Sequence, residues 1–271
     1  MRTHRQERSG AARNSDSSRR RTGEPIERLY GRNAVLESLI AGRRRFVRLL
    51  VAESATAGQR LADIESLATS HGAPIERVTR SVLDTLVKGH SQGVALEAYS
   101  YPYVSDYDLH ALAQARSVVL ALDGLVDPQN VGSLLRTAEA TGVSLVVIPT
   151  DRAAQVTPAV VNASSGAVEH LNIATVTNLA RWLGRARDSG YWVVGMAGDE
   201  SADPLFDTRM TPPIVLVVGS EGGGMRRLVR EQCDLLVSLP MMGRVTSLNA
   251  SVAGSIGLYE IRRDTDDSLN E

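Results

Sequence analysis

From Ser117 onward, short continuous apolar runs alternate with segments of helical periodicity, and this alternation restricts the fold more than any other feature of the chain. The run SVVLALD (117–123) has no polar face, as expected for a strand covered on both sides of a parallel sheet. Val131–Ala140 then reads as a helix and Ser144–Ile148 as the next strand. Leu171–Val176, Trp192–Met196, Ile214–Val218 and Leu235–Leu239 supply further strands. Leu179–Arg187 is the clearest helix between them. Asn249–Ile261 closes the series as a helix, with Val252, Ile256 and Tyr259 at helical spacing. Strands alternating with helices predict an α/β fold, a mostly parallel sheet with helices on both faces. Ligands of such sheets bind in the loops at the carboxyl ends of the strands.

A smaller α/β unit is expected over residues 25–98. Asn33–Ile40, Arg60–Ser70 and Ser81–Leu86 read as helices, and Phe46–Val51, Ile75–Val78 and Gly93–Ala98 as strands. Residues 99–114, opening with the tyrosine-rich YSYPYVSDYD, read as a linker to a second domain at 115–271. Residues 1–24 are rich in Arg, Ser and Gly and lack apolar periodicity, so a disordered arm is expected. Charge is distributed unevenly. Residues 1–50 carry 13 arginines against five acids, while the rest holds 17 basic and 26 acidic side chains, so a net of +8 faces a net of −9. A basic arm on an acidic body points to an anionic polymer such as nucleic acid. The single cysteine, Cys233, rules out an internal disulfide and a cysteine metal cluster. No apolar run approaches the roughly 18 residues of a membrane span, and no secretory signal is evident; a cytoplasmic location is expected.

Three loops carry the chemistry. In DGLVDPQNVGSLLRTAEATG (123–142), Asp127-Pro128 forces a turn and Asn130 is placed to cap the helix, with Arg136 within its first two turns. In VLVVGSEGGGMRRL (215–228) a buried strand breaks into a glycine-rich loop containing Glu221, where backbone can approach a ligand closely. Its spacing is neither GxGxxG nor GxSxG, which disfavours a dinucleotide-binding dehydrogenase and an α/β-hydrolase. In LPMMGRVTSLNASVAGSIGLYE (239–260), Ser247 and Asn249 precede a helix rich in small residues and could cap it.

Together these segments resemble the SpoU (TrmH, or SPOUT) family of RNA 2'-O-ribose methyltransferases, in the order that family requires. The resemblance covers Gly31 to about Arg262, with further support from Tyr30–Val35, Asp151–Gln155, Ser165-Gly166-Ala167 and Val176–Ala180. Within the family it is greatest to the enzymes that methylate a guanosine ribose of 23S rRNA. The resemblance implies a deep trefoil knot in the carboxyl-terminal domain, a homodimer, and an amino-terminal RNA-recognition domain similar to ribosomal protein L30e. It implies S-adenosylmethionine as cofactor, RNA as partner, and neither metal nor membrane. Asn130, Arg136, Glu221, Ser247 and Asn249 fall on the family's active-site positions. Gly219, Leu239 and Leu248 fall on positions whose backbone holds the cofactor.

A sulfonium methyl donor is already activated, so the protein supplies mainly positioning and proton removal. No histidine lies in the three loops. Arg136 is therefore expected to hold the target phosphate and ribose, because a guanidinium with a pKa above roughly 12 is a poor base. Ser247 and Asn249 would orient the hydroxyl, and Glu221 would fix Arg136 or Asn130. The alternatives are a tRNA ribose methyltransferase, an enzyme acting at another rRNA position and conferring antibiotic resistance, and a non-catalytic RNA-binding assembly factor.

Overall fold

The computed structural model describes residues 25–87, 89–105, 107–198 and 201–270, with side chains as far as residue 265. The basic arm expected at 1–24 lies outside the described residues.

The amino-terminal unit is a four-stranded sheet of β1 (Ile26–Tyr30), β2 (Phe46–Ala52), β3 (Ile75–Val78) and β4 (Val94–Tyr99). Its order is β1-β4-β2-β3, with β4 antiparallel to both neighbours and β2 parallel to β3. Helices α1 (Arg32–Ala41), α2 (Gln59–Ser70) and α3 (Arg80–Leu86) cover it. Strand alternation explains the two-sided cover. Leu49 and Val51 pack with Val35, Leu39 and Ile64, whereas Leu50 and Ala52 pack with Leu83 on the other face. Strand β1 escapes the sequence reading because its alternation is weak: IERLY buries only Leu29 and Tyr30 fully.

The second unit runs α4 (Leu109–Gln114), β5 (Val118–Asp123), α5 (Pro128–Ala140), β6 (Leu145–Pro149) and α6 (Pro158–Ala163). A 3-10 turn at Ala167–His170 leads to β7 (Ile173–Val176), α7 (Leu179–Asp188), β8 (Trp192–Met196) and the short β9 (Asp203–Pro204). After a second 3-10 turn at Leu205–Asp207 come β10 (Ile214–Gly219), α8 (Arg227–Arg230), β11 (Leu235–Ser238) and α9 (Ala250–Asn270). These strands form a seven-stranded sheet in the order β7-β6-β5-β10-β8-β11-β9, parallel at every pairing. The continuous apolar runs fit this burial. Leu120, Leu122, Val146, Leu216 and Val218 face Leu134, Leu135, Leu258 and Ile261 of α5 and α9. Val119, Ala121, Val147, Val215 and Val217 face Trp182, Leu183 and Ala186 of α7.

Two consequences of the order matter for function. Strand β10 lies beside β5 in level register, from Ile214↔Val118 to Gly219↔Asp123, so the loops that leave them are neighbours. Strand β8 lies between β10 and β11, so the loops after β10 and β11 flank its carboxyl end.

The stretch expected to link the units is itself packed. Val104 N donates to Ile173 O on the β7 edge, Tyr101 Oη donates to Leu171 O, and Leu109–Gln114 is helical, capped by Asp108. Its polar and aromatic composition conceals this, because its partners lie far away in sequence. Arg44, buried in the amino-terminal unit, sits against Glu169 of the second; Nε donates to both carboxylate oxygens at 3.0 Å. Its Nη2 lies 2.9 Å from Glu169 Oε1 as an ionic contact, and Nη1 donates to Glu27 at 2.7 Å. Burial works against the charged guanidinium, but the two carboxylates outweigh it and hold the Arg44 pKa above its ordinary value.

Candidate active site

Helix α5 begins on Pro128 at its first turn, and the side chain of Asp127 caps it by accepting from Gln129 N and Asn130 N. The cap expected of Asn130 is thus supplied by Asp127, which frees the Asn130 amide to reach across to the neighbouring loop. There its Nδ2 donates to Glu221 Oε1 at 2.9 Å.

The glycine-rich loop is a closed turn. Ser220 N donates to Gly224 O at 3.0 Å, and Gly224 N returns to Ser220 O at 2.9 Å. A Cβ on Gly219 would fall 2.4 Å from the carbonyl carbon of Gly224, so only glycine permits the strand to meet its own loop this closely. Its exit is pinned by buried Asp123, which accepts from Arg226 N at 2.7 Å and Arg226 Nε at 2.6 Å. Asp123 is a supporting residue that the sequence reading passed over. Its signal was an acid ending an otherwise apolar strand.

Asn249 caps α9, its Oδ1 accepting from Ser251 N at 2.9 Å and Val252 N at 3.3 Å. Its Nδ2 donates to Asn130 Oδ1 at 2.8 Å and also to Glu221 Oε1. Three loops separated by up to 119 residues are thereby closed into one polar triangle, Asn130–Glu221–Asn249. Each amide has little choice of orientation in it.

Arg136 is not joined to this triangle. It lies six residues beyond Asn130, about 9 Å further along the helix axis and roughly a third of a turn around it, so Glu221 fixes Asn130 rather than Arg136. The exposed Arg136 guanidinium instead donates from Nη1 to Ser165 Oγ at 3.2 Å. Ser247 and Leu248 are exposed in the loop between β11 and α9, Leu239 at its start is half-buried, and Gly219 is buried at the end of β10.

The loops after β10 and β11 flank the end of β8. The Cβ directions of Gly222, Gly224 and Gly243 meet nothing within 4 Å, so backbone there can be approached by a ligand. Among the described residues no His, Cys, Asp or Glu group is placed to hold a metal ion. Burial pushes the Cys233 thiol up to about 12, so it is a poor nucleophile.

Comparison with known proteins decides the family. Residues 117–259 match the model of the SpoU rRNA methylase family. The chain belongs to the SpoU family. Residues 28–104 match the substrate-binding model of RNA 2'-O ribose methyltransferases. YacO of Bacillus subtilis, whose name places it in the TrmH family of tRNA/rRNA methyltransferases, is 46% identical over 87% of this chain and 94% of its own. The 23S rRNA (guanosine-2'-O-)-methyltransferase RlmB of Pseudomonas putida is 38% identical over 88% and 96%. Among solved structures, the SpoU methyltransferase AviRb of Streptomyces viridochromogenes superposes with a TM-score of 0.73 at 26% identity, covering 90% of this chain and 91% of that one. This SpoU member is therefore an RNA methyltransferase by family, with the mixed α/β architecture of its structural relatives. No helix among the described residues is long and apolar enough to cross a membrane.

Proposed function

We propose that the protein methylates the 2'-hydroxyl of a guanosine ribose in 23S rRNA, using S-adenosylmethionine bound between the loops after β10 and β11. The observation that carries this reading is the closed triangle of Asn130, Glu221 and Asn249, with the exposed guanidinium of Arg136 on the same helix as Asn130. Backbone at Gly219, Leu239 and Leu248 would hold the cofactor, which supplies a methyl group already activated on sulfur. Arg136 grips the target phosphate and ribose through its planar fork, and Ser247 meets the hydroxyl. Asn249, its amide already committed at both ends, orients Asn130 and Glu221. As the hydroxyl oxygen bonds to the methyl carbon, the carbon–sulfur bond breaks and the hydroxyl proton passes to the target phosphate or to water.

The amino-terminal unit and the basic arm would receive the RNA, in the cytoplasm. A homodimer is supported by apolar side chains left uncovered on one stretch of chain: Met242, Val245, Leu248, Val252 and Tyr259 are all exposed. The trefoil knot would be formed by the same loops that bind the cofactor. A tRNA substrate is the second reading, favoured by the tRNA/rRNA wording in the name of YacO. Mapping 2'-O-methylation on rRNA and tRNA from wild-type and deletion strains separates the two; a lost mark on tRNA alone would overturn the rRNA assignment. Arg136→Ala should lower single-turnover methylation by roughly a hundredfold while leaving cofactor affinity unchanged. Near-normal methylation would remove Arg136 from the mechanism.

A further inference from the structure

Arg136 projects from an exposed helix face, where a side chain of its length samples many rotamers. Among the described residues its side-chain partner is Ser165, whose Oγ accepts from Nη1 at 3.2 Å. Ser165 has φ +55°, in the left-handed region where a side chain is unfavourable and glycine is the least costly residue. A serine held there spends backbone strain to present a hydroxyl.

The backbone that carries that hydroxyl is closely packed by two helices. A Cβ on Gly132 of α5 would fall 2.4 Å from Ala163 Cβ and 2.9 Å from Ser164 N, so α5 presses directly on the end of α6. A Cβ on Gly166, the next residue, would fall 2.5 Å from Glu37 Cβ and 3.2 Å from Ala34 Cα, so α1 also rests directly on the turn. Further bonds join the elements around the turn, one from α6 to the end of β1 and one from α1 to His170. Asn162 Nδ2 donates to Tyr30 O at 3.0 Å, and Glu37 pairs with His170 at 2.9 Å. At Gly132 and Gly166 the backbones approach so closely that neither helix has room to move in towards the turn.

We propose that Ser165 is a positioning residue for Arg136, holding the guanidinium at one aim before the ribose and phosphate arrive. This rests on the reading of Arg136 as the group that grips the substrate. Ser165 need not touch RNA or cofactor; its contribution passes through Arg136 and lies in restricting the fork to a productive direction.

The test is a double-mutant cycle on the full-length protein, read as single-turnover transfer of labelled methyl to a pool of unmodified rRNA and tRNA transcripts. Ser165→Gly removes both the hydroxyl and the left-handed strain, so the melting temperature should hold while the rate falls about tenfold. Cofactor affinity, measured by calorimetry, should be unchanged, which a general loosening of the site would not give. In an Arg136→Ala background the same change should alter the rate by less than about twofold. Arg136→Lys, which loses the fork, serves as the background if the alanine variant turns over too slowly to read. A full rate for Ser165→Gly, or equal losses in both backgrounds, would overturn the proposal. A normal rate for Arg136→Ala alone is a different result: it sinks the role given to Arg136, and the positioning role with it.

Discussion

Replacing Arg44 by methionine strands Glu169, a carboxylate whose side chain is wholly buried and whose side-chain partner is Arg44. A charge left unpaired in the interior costs about 3–5 kcal/mol, and the upper half of that range applies here because no solvent reaches Glu169. Glu169→Ala is the milder change. Arg44 then keeps Glu27 at 2.7 Å and the carbonyl of Tyr99 at 3.1 Å, so its loss belongs near 3 kcal/mol, the lower end of the same range. Arg44→Met combined with Glu169→Leu removes both charges and fills similar volume, so it should lie within about 1 kcal/mol of wild type. The pH dependence follows from the sign of the burial effect. Burial without a partner favours the neutral carboxyl, so folded Arg44→Met binds a proton more readily than its unfolded chain does. Its deficit against wild type therefore shrinks as pH falls towards the ordinary glutamate range, about 4.3. Urea unfolding followed by far-ultraviolet circular dichroism at several pH values measures this. A double variant as unstable as Arg44→Met would refute the reasoning, as would a deficit that grows on acidification.

Two further outcomes are expected. Asn249→Asp keeps an excellent helix cap but sets a second carboxylate against Glu221, so stability should hold within about 1 kcal/mol while methyl transfer falls roughly a hundredfold; thermal melts and single-turnover rates check the pair, and retained activity would remove Asn249 from the machinery. Tyr259→Asp places a charge on the uncovered apolar face of α9 and should convert the proposed dimer to monomer in sedimentation velocity at micromolar concentration, whereas a sedimentation coefficient unchanged from that of a dimeric wild type would refute a dimer contact through this face.

The apolar runs of the second unit were legible in the sequence because a strand covered on both faces needs no partner to declare itself. Ser117–Asp123 and Ile214–Val218 read as strands from their apolar runs alone. The glycine-rich loop was legible for a related reason, since a strand that turns back on itself within van der Waals distance leaves no room for a side chain. Resemblance to the SpoU family singled out Asn130, Glu221 and Asn249, together with Arg136 and Ser247. Sequence could not show that the first three meet. Their contact depends on β10 pairing with β5 across more than ninety residues of chain and on α9 starting beside both. The same non-local pairing decides that Asp127 rather than Asn130 caps α5, and that Arg136 faces Ser165 rather than Glu221. Local periodicity fixes which face of an element is apolar. Which polar group lies opposite which is set only when distant elements dock, because a hydrogen bond is decided over a few tenths of an ångström and the chain's local preferences carry no such distances.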